Sequence, residues 1–339
     1  MAVLSGDIGG TSTRIQLVEF NQDNNILTVL QNKRYSNSNY VSFLQIIDTF
    51  FSDTKVEKKQ IKSACFAVAG PIIAGVVKFT NLPWFIRLDE IKAKLDNNRV
   101  ALINDFEGIG YGLETLEDHD LCTLQVGKPK KNGIKAYLGA GTGLGVGFMT
   151  MGCDGNYVVC PTEGGHVDFA PIDDLQIELL RYLRRKAHRV SYERVLSGLG
   201  LVNIYHFVRD NKIFGEEENP ELRFLIETDK TVDIAATVAK FAIQHKDILS
   251  IRALDIFISV YGAATGNLAL TALPYGGLFI VGGIAPKLLP QIQKGKFMET
   301  YADKGRMSNL IQDIPLHVVT NTDVGLQGAA FYAHKLICG

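Results

Sequence analysis

Along the 339-residue chain the spacing of apolar and polar positions changes several times, and each change marks an element. Residues 2–7 form a short apolar run that stops at Gly9 and Gly10. Residues 12–20 alternate, with Ile15, Leu17 and Val18 inside the run. Residues 21–25 are turn-rich, and strand character resumes over 26–35. Such runs separated by turn residues predict a three-stranded antiparallel meander. Phe43, Leu44, Ile47 and Phe50 or Phe51 then recur at helical spacing over 41–51. Residues 63–69 and 99–103 read as buried strands, closed by Gly70 and Pro71 and by Asn104 and Asp105. Strands followed by alternating helix and strand predict an α/β fold with a mixed sheet.

The opening theme returns at 134–151, where a strand, a Gly/Thr turn and a second strand follow one another again. This weak internal similarity predicts two related lobes, with the polar, acidic stretch 115–120 as the boundary. Residues 172–189 read as the clearest helix, with Leu175, Leu179, Tyr182 and Leu183 on one face. Asp173 and Asp174 stand at its start and Arg184, Arg185, Lys186, His188 and Arg189 at its end, which suits the macrodipole. That basic cluster reads as a solvated helix end in preference to an anion site. Residues 210–230 read as a charged surface excursion and 232–272 as two helices. Residues 277–281 read as a buried strand ending at Gly282 and Gly283.

Composition narrows the class. The chain is longer than one domain of roughly 100–200 residues, and 46% hydrophobic with 21% charged residues is ordinary globular composition. Lys and Arg total 35 against 36 Asp and Glu, a formal charge of -1, which leaves no footprint for nucleic acid or an anionic membrane. Cys65, Cys122, Cys153, Cys160 and Cys338 are scattered without CxxC spacing, as expected of reduced thiols. No basic and then apolar leader is visible, and no apolar run is expected to approach the ~18 residues that span a bilayer. The expectation is a soluble, cytoplasmic protein.

Three glycine turns carry the candidate chemistry. The first comprises Gly6, Asp7, Ile8, Gly9, Gly10 and Thr11. Glycines let backbone N–H groups approach a phosphate with no Cβ in the way. Asp7, at a strand end, suits a metal ion held through water, and Thr11 adds a hydroxyl donor. The pattern is neither GxxxxGK[ST] nor GxGxxG, and alone it reads equally well as a tight hairpin turn. The second turn contains Gly141, Thr142 and Gly143; two such turns on related strand pairs could grip a polyphosphate from two sides. The third, Gly282 and Gly283, could let a nucleotide lie against bare backbone or be a plain strand-to-helix turn. Asp105 follows the apolar strand RVALI and should sit at a strand's carboxyl end, where open α/β sheets bind ligands. A carboxylate there can accept the proton of an attacking hydroxyl; the structural alternative is a helix N-cap.

GDIGGT at 6, AVAGPI at 67, TNLPW at 80, INDFEGIG at 103, GAGTGLGVG at 139, PTEGGHVDFAP at 161, ERVLSGLGLVNIY at 193 and FIVGGIAPK at 279 occur in that order across nearly the whole chain. Together they resemble the bacterial glucokinase family, within the sugar kinase, Hsp70 and actin superfamily. The resemblance implies a ribonuclease-H-like, actin-like ATPase fold of two lobes with the active-site cleft between them. Residues 1–115 plus about 320–339 would make the small lobe and 116–319 the large one. The implied reaction is ATP-dependent phosphorylation of D-glucose at the 6-hydroxyl, giving glucose 6-phosphate and ADP, at the entry to glycolysis. Mg2+ would be held mainly through phosphates and water, and a homodimer is expected.

By the same resemblance Asp105 is the general base, and Asn104, Asp105, Glu163, His166 and Glu193 bind the sugar. Gly6, Asp7, Ile8, Gly9, Gly10, Thr11, Gly141, Thr142, Gly143, Gly282 and Gly283 bind the nucleotide. Carboxylate, amide and imidazole groups do suit a ring of hydroxyls, each of which donates and accepts. Glu193 could instead be a first-turn residue behind a Ser191 cap. Asp168 could orient the His166 loop or serve a turn, Thr80 and Asn81 could line the sugar pocket, and Trp84 reads as packing. The CxCGxxGC zinc cluster of the related ROK sugar kinases is absent from this sequence, so no zinc site is expected. A kinase for mannose, fructose or an amino sugar is the nearest rival. A sugar-responsive repressor would carry an added helix-turn-helix, whereas this chain opens on the phosphate strand. An actin- or Hsp70-type assembly protein would lack the sugar ligands.

Overall fold

A computed structural model describes residues 2–20, 27–79, 82, 84–212, 215, 217–229 and 231–338. The turn expected over 21–25, and Thr80 and Asn81, lie outside the described residues. The chain divides into two compact units, Met1–Asp120 with Gly152–Pro161 and Asn321–Gly339, and Leu121–Met151 with Thr162–Thr320. The segment Gly152–Pro161, which the sequence reading placed in the larger lobe, groups with the first unit.

In the first unit the strands run in the order Leu27–Ser36, Ser12–Phe20, Ala2–Ile8, Ile61–Val68, Val100–Asn104. The first two pairings are antiparallel and the last two parallel. The register sets Asp7 opposite Arg14 on one side and Ala67 on the other. Leu4, Ile8, Ile15 and Phe66 are fully buried, which fixes that register, because a one-residue slip would turn them outward. The helix Phe43–Thr54 buries Phe43, Ile46, Ile47 and Phe50, and Ser42 caps it by accepting the Gln45 N–H. Trp84 lies in the same core.

The C-terminal helix Val324–Cys338 belongs to this unit. Ser63 Oγ donates to the Ala333 carbonyl at 2.6 Å and Gln16 Nε2 to that of Leu326 at 3.3 Å. The helix also meets Asp105–Gly112 backbone to backbone. A Cβ on Gly328 would lie 1.8 Å from the Gly108 oxygen, and one on Gly112 would lie 2.0 Å from the Val324 oxygen. Only glycine permits that approach.

In the second unit the order is Leu144–Met151, Lys135–Ala140, Gly277–Val281, Leu316–Val319, Leu121–Gln125. An antiparallel pair is again followed by two parallel ones, so the repeated strand–glycine–strand theme reflects repeated topology. The helix Ile248–Ala272 forms the centre of this unit. Its mean hydropathy reaches 1.4 over an 18-residue window, 78% of it buried. It corrects the expectation that no apolar run approaches bilayer length: a helix covered by protein over most of its surface, with Arg252 and Asp255 exposed, is mostly apolar for the same reason as one packed by lipid.

Two further expectations are corrected. The helix expected over 172–189 spans only Asp174–Arg184, so Arg189 stands beyond its end. The stretch 210–230 contains the helix Pro220–Thr228, capped by Asn219 with Pro220 in its first turn. Its charge hid an apolar edge: Leu222 is buried, and Leu225 and Ile226 pack on the same core.

Candidate active site

Within the first unit, two strand ends carry acids. Asp7 is the penultimate residue of Ala2–Ile8, and Asp105 immediately follows Val100–Asn104. Burial raises the Asp7 carboxyl above its ordinary value, against the opposing pull of Arg14 and Arg34. Arg14 is in turn held by Asp323 at 2.7 Å, just before the C-terminal helix. Burial pushes Asp105 up to about 6, and the Asp7 charge adds to the rise, while the Phe106 N–H opposes it.

The helix cap differs from the sequence alternative. Asn104 is the N-cap of Asp105–Gly112: its Oδ1 accepts the Phe106 N–H at 2.9 Å, and Glu107 completes the capping box. Asp105 is the first helical residue, its Oδ1 accepting from the same N–H at 2.9 Å. The Asn104 Nδ2 donates to the Gly70 carbonyl at 3.4 Å, tying the base of the site to the AVAGPI turn.

The first glycine turn is a hairpin closed by Gly9 N–H donating to the Ser12 carbonyl at 3.1 Å. Gly6 sits under it because a Cβ there would meet Phe66 at 2.7 Å. A Cβ on Gly10 would meet nothing within 4 Å, so that face of the turn is open. Among the described residues no group of three His, Cys, Asp or Glu side chains is placed to hold a metal ion by itself.

The second unit brings four of the sequence segments together. Glu193 Oε2 accepts the Leu144 N–H at 3.0 Å, and a Cβ on Gly143 would lie 2.6 Å from that same oxygen. Glu193 is a first-turn residue of the short turn Tyr192–Arg194, but Ser191 makes no side-chain cap bond. His166 Nδ1 lies 3.9 Å from Glu193 Oε1, and its Nε2 lies 3.9 Å from Glu163 Oε2. The loop holding Glu163 and His166 packs hard on the glycine turn, since a Cβ on Gly165 would fall 1.8 Å from the Leu144 oxygen. Gly198 N–H, at the start of Gly198–Asn211, donates to the Gly141 carbonyl at 2.9 Å. Gly282 has φ +85°, and a Cβ on it would lie 2.7 Å from the Ala140 oxygen, a conformation and a clearance that demand glycine. Gly141 and Gly283 face open space, and Thr142 is exposed.

Two supports were missed by sequence reasoning. Arg189 Nε donates to Asp168 Oδ1 at 2.6 Å and its Nη2 to the His166 carbonyl at 2.7 Å. It thus clips the His166 loop to the segment leading into Glu193, beside the Tyr192 N–H to Val167 carbonyl bond at 2.9 Å. Asn37 underlies the first glycine turn, its amide donating to the Gly9 carbonyl at 2.8 Å. Neither lies in a conspicuous motif, and only their tertiary neighbours reveal them.

The sequence matches the family model described as Glucokinase over residues 4–336. The chain belongs to the glucokinase family. It is 43% identical over an alignment 346 positions long to a glucokinase of Nostoc punctiforme, covering 98% of this chain and 99% of the relative. The crystal structure of a glucokinase from an Antarctic psychrotroph matches with TM-score 0.84 and 30% identity, over 98% of this chain and 99% of that one. A ROK family glucokinase from Streptomyces griseus, crystallised with glucose and AMPPNP, shares the fold at TM-score 0.63 and 17% identity, over 99% and 100% of the two chains. The α/β architecture with mixed sheets is therefore that of the glucokinases, and the chain is a glucokinase-family enzyme.

Proposed function

We propose that the enzyme transfers the γ-phosphoryl group of ATP to the 6-hydroxyl of D-glucose, releasing ADP and glucose 6-phosphate. Membership of the glucokinase family along 4–336 carries this reading. A coupled ADP-release assay across glucose, mannose, fructose and amino sugars tests it. Glucose-dependent ADP release with glucose as the preferred sugar is expected, and absence of sugar-dependent release would overturn it.

In this reading Asp105 takes the 6-hydroxyl proton as that oxygen bonds to the γ-phosphorus and the bond to the ADP oxygen breaks. Asn104, Asp105, Glu163, His166 and Glu193 bind the sugar hydroxyls. The turn Gly6–Thr11, with Gly141, Thr142, Gly143, Gly282 and Gly283, binds the nucleotide through N–H groups and bare backbone. Phosphoryl transfer depends mainly on in-line positioning and on neutralising phosphate oxygens, which is what such turns supply. Bound Mg2+ would neutralise β- and γ-phosphate oxygens, and an oxygen donor such as Asp7 suits that hard cation. The homodimer and the cytoplasmic setting belong to the same proposal.

The Asp105 environment predicts a pH profile. A general base works only when ionised, and this carboxyl holds its proton up to about 6. Log kcat/KM for glucose is expected to be flat above that value and to fall with unit slope below it. An acid limb lying near pH 4, the ordinary aspartate range, would count against Asp105 as the base.

A further inference from the structure

Asn37 follows the strand Leu27–Ser36 as the first residue of the short turn Asn37–Asn39, and it is 1% exposed. Its carbonyl accepts the Tyr40 N–H at 3.2 Å, while its other polar groups serve the first glycine turn and the strand that leaves it. Its backbone N–H donates to the Thr11 carbonyl at 2.9 Å, and its Nδ2 donates to the Gly9 carbonyl at 2.8 Å. Its Oδ1 accepts from the Thr13 hydroxyl at 2.8 Å, a bond that fixes which way round the amide lies.

These bonds constrain donors that Asn37 does not touch. The peptide is planar and trans, so the N–H of one residue points opposite to the carbonyl before it; no cis bond occurs among the described residues. Drawing the Gly9 carbonyl towards Asn37 therefore turns the Gly10 N–H the other way. Gly10 is the exposed residue whose Cβ position is open. Buried polar side chains with all their bonds made are costly to disturb, so they hold neighbouring backbone in one arrangement.

We infer that Asn37 is a positioning residue for the nucleotide: it presets the Gly9–Ser12 hairpin with an N–H aimed at a polyphosphate, and so sets ATP affinity without touching ATP. The inference rests on the reading of the Gly6–Thr11 turn as the phosphate-binding turn. Thr13 is its accessory, holding the amide in the productive flip.

Titration calorimetry with ADP and, separately, with glucose tests this on Asn37→Ala, Asn37→Asp, Thr13→Val and Gly10→Ala, alongside steady-state kinetics. Asn37→Asp is nearly isosteric and keeps the acceptor for Thr13 but loses the donor to Gly9, so it serves if the alanine variant does not fold. In both Asn37 variants the ADP Kd and the ATP KM are expected to rise about tenfold, while glucose Kd and kcat stay within about twofold. Thr13→Val should shift ADP affinity in the same direction by about threefold. A residue that merely stabilised the fold would lower the melting temperature without this split between ATP KM and kcat. Gly10→Ala introduces a methyl group into open space, so it should weaken ADP while leaving the melting temperature unchanged. ADP binding weakened by Gly10→Ala but normal in Asn37→Asp and Thr13→Val would overturn the Asn37 inference alone. Normal ADP binding in all of them would overturn the phosphate-turn reading and the inference with it.

Discussion

Asp105→Ala is expected to lower kcat by roughly 10²–10⁴-fold while glucose binding survives in weakened form. Single-turnover phosphoryl transfer and glucose calorimetry on the same preparation measure the two effects. The residual rate reflects how much of phosphoryl transfer is positioning and charge neutralisation, to which a base is only an addition. Near-normal turnover would remove Asp105 from the role of base. Asp105→Asn separates chemistry from packing, and it has a stability signature of known sign. The folded carboxyl holds its proton up to about 6, against an ordinary value of 3.8. Between those values the native state binds a proton that the unfolded chain has released, so stability falls as pH rises through that window and stays lower above it. The neutral amide is free of that cost. Asp105→Asn should therefore melt higher than the parent at pH 7.5, with the difference vanishing near pH 4. An inactive variant that is also more stable is the mark of a carboxylate kept buried for its chemistry.

Gly328→Ala should have the largest effect on stability. Its methyl carbon would fall 1.8 Å from the Gly108 oxygen and 2.4 Å from the Gly112 nitrogen, backbone atoms that cannot rotate away. The two helices must separate, at a cost of about 3 kcal/mol by the general scale of overpacking, or roughly 6–12 °C in melting temperature for a unit of this size. The strain reaches the site, because Asp105 begins the helix that Gly328 would push. Activity per folded molecule should fall as well. Gly283→Ala is the matched control: its Cβ would meet nothing within 4 Å, and its melting temperature should not move. An unshifted melting curve for Gly328→Ala would show that the helix contact is looser than the structure has it.

The legibility of this protein differs between its elements and its site. The meander 2–35 and the strands at 63–69, 99–103 and 277–281 were readable because each is bounded by turn residues and all but the largely exposed Leu27–Ser36 bury an apolar run, features local to the chain. The repeated strand–glycine–strand theme was readable for the same reason. The two helices read over 232–272 are present as Ile234–Ile243 and Ile248–Ala272; what was under-read is the apolar length of the second, because a mostly buried helix carries little amphipathic period. The end of Asp174–Arg184 was over-read, because a basic run looks like a solvated helix terminus until Arg189 is seen folded back on Asp168 and the His166 carbonyl.

The candidate residues divide in the same way. The sequence by itself determined the residue types and the family: glycine turns, acids at strand ends and the EGGH and ERVLSG segments are contiguous patterns, and local patterns survive in one dimension. Tertiary structure alone decided which of them touch. Glu193 reaches the Leu144 N–H across 49 positions, and Asn104 is the helix N-cap while Asp105, which shares the Phe106 N–H, is raised by burial. Asn37 reaches Gly9 and Thr13 from a strand away. Hydrogen bonds and desolvation depend on distance in space, and a pattern along the chain carries no distances until the sheet registers and glycine contacts have set them.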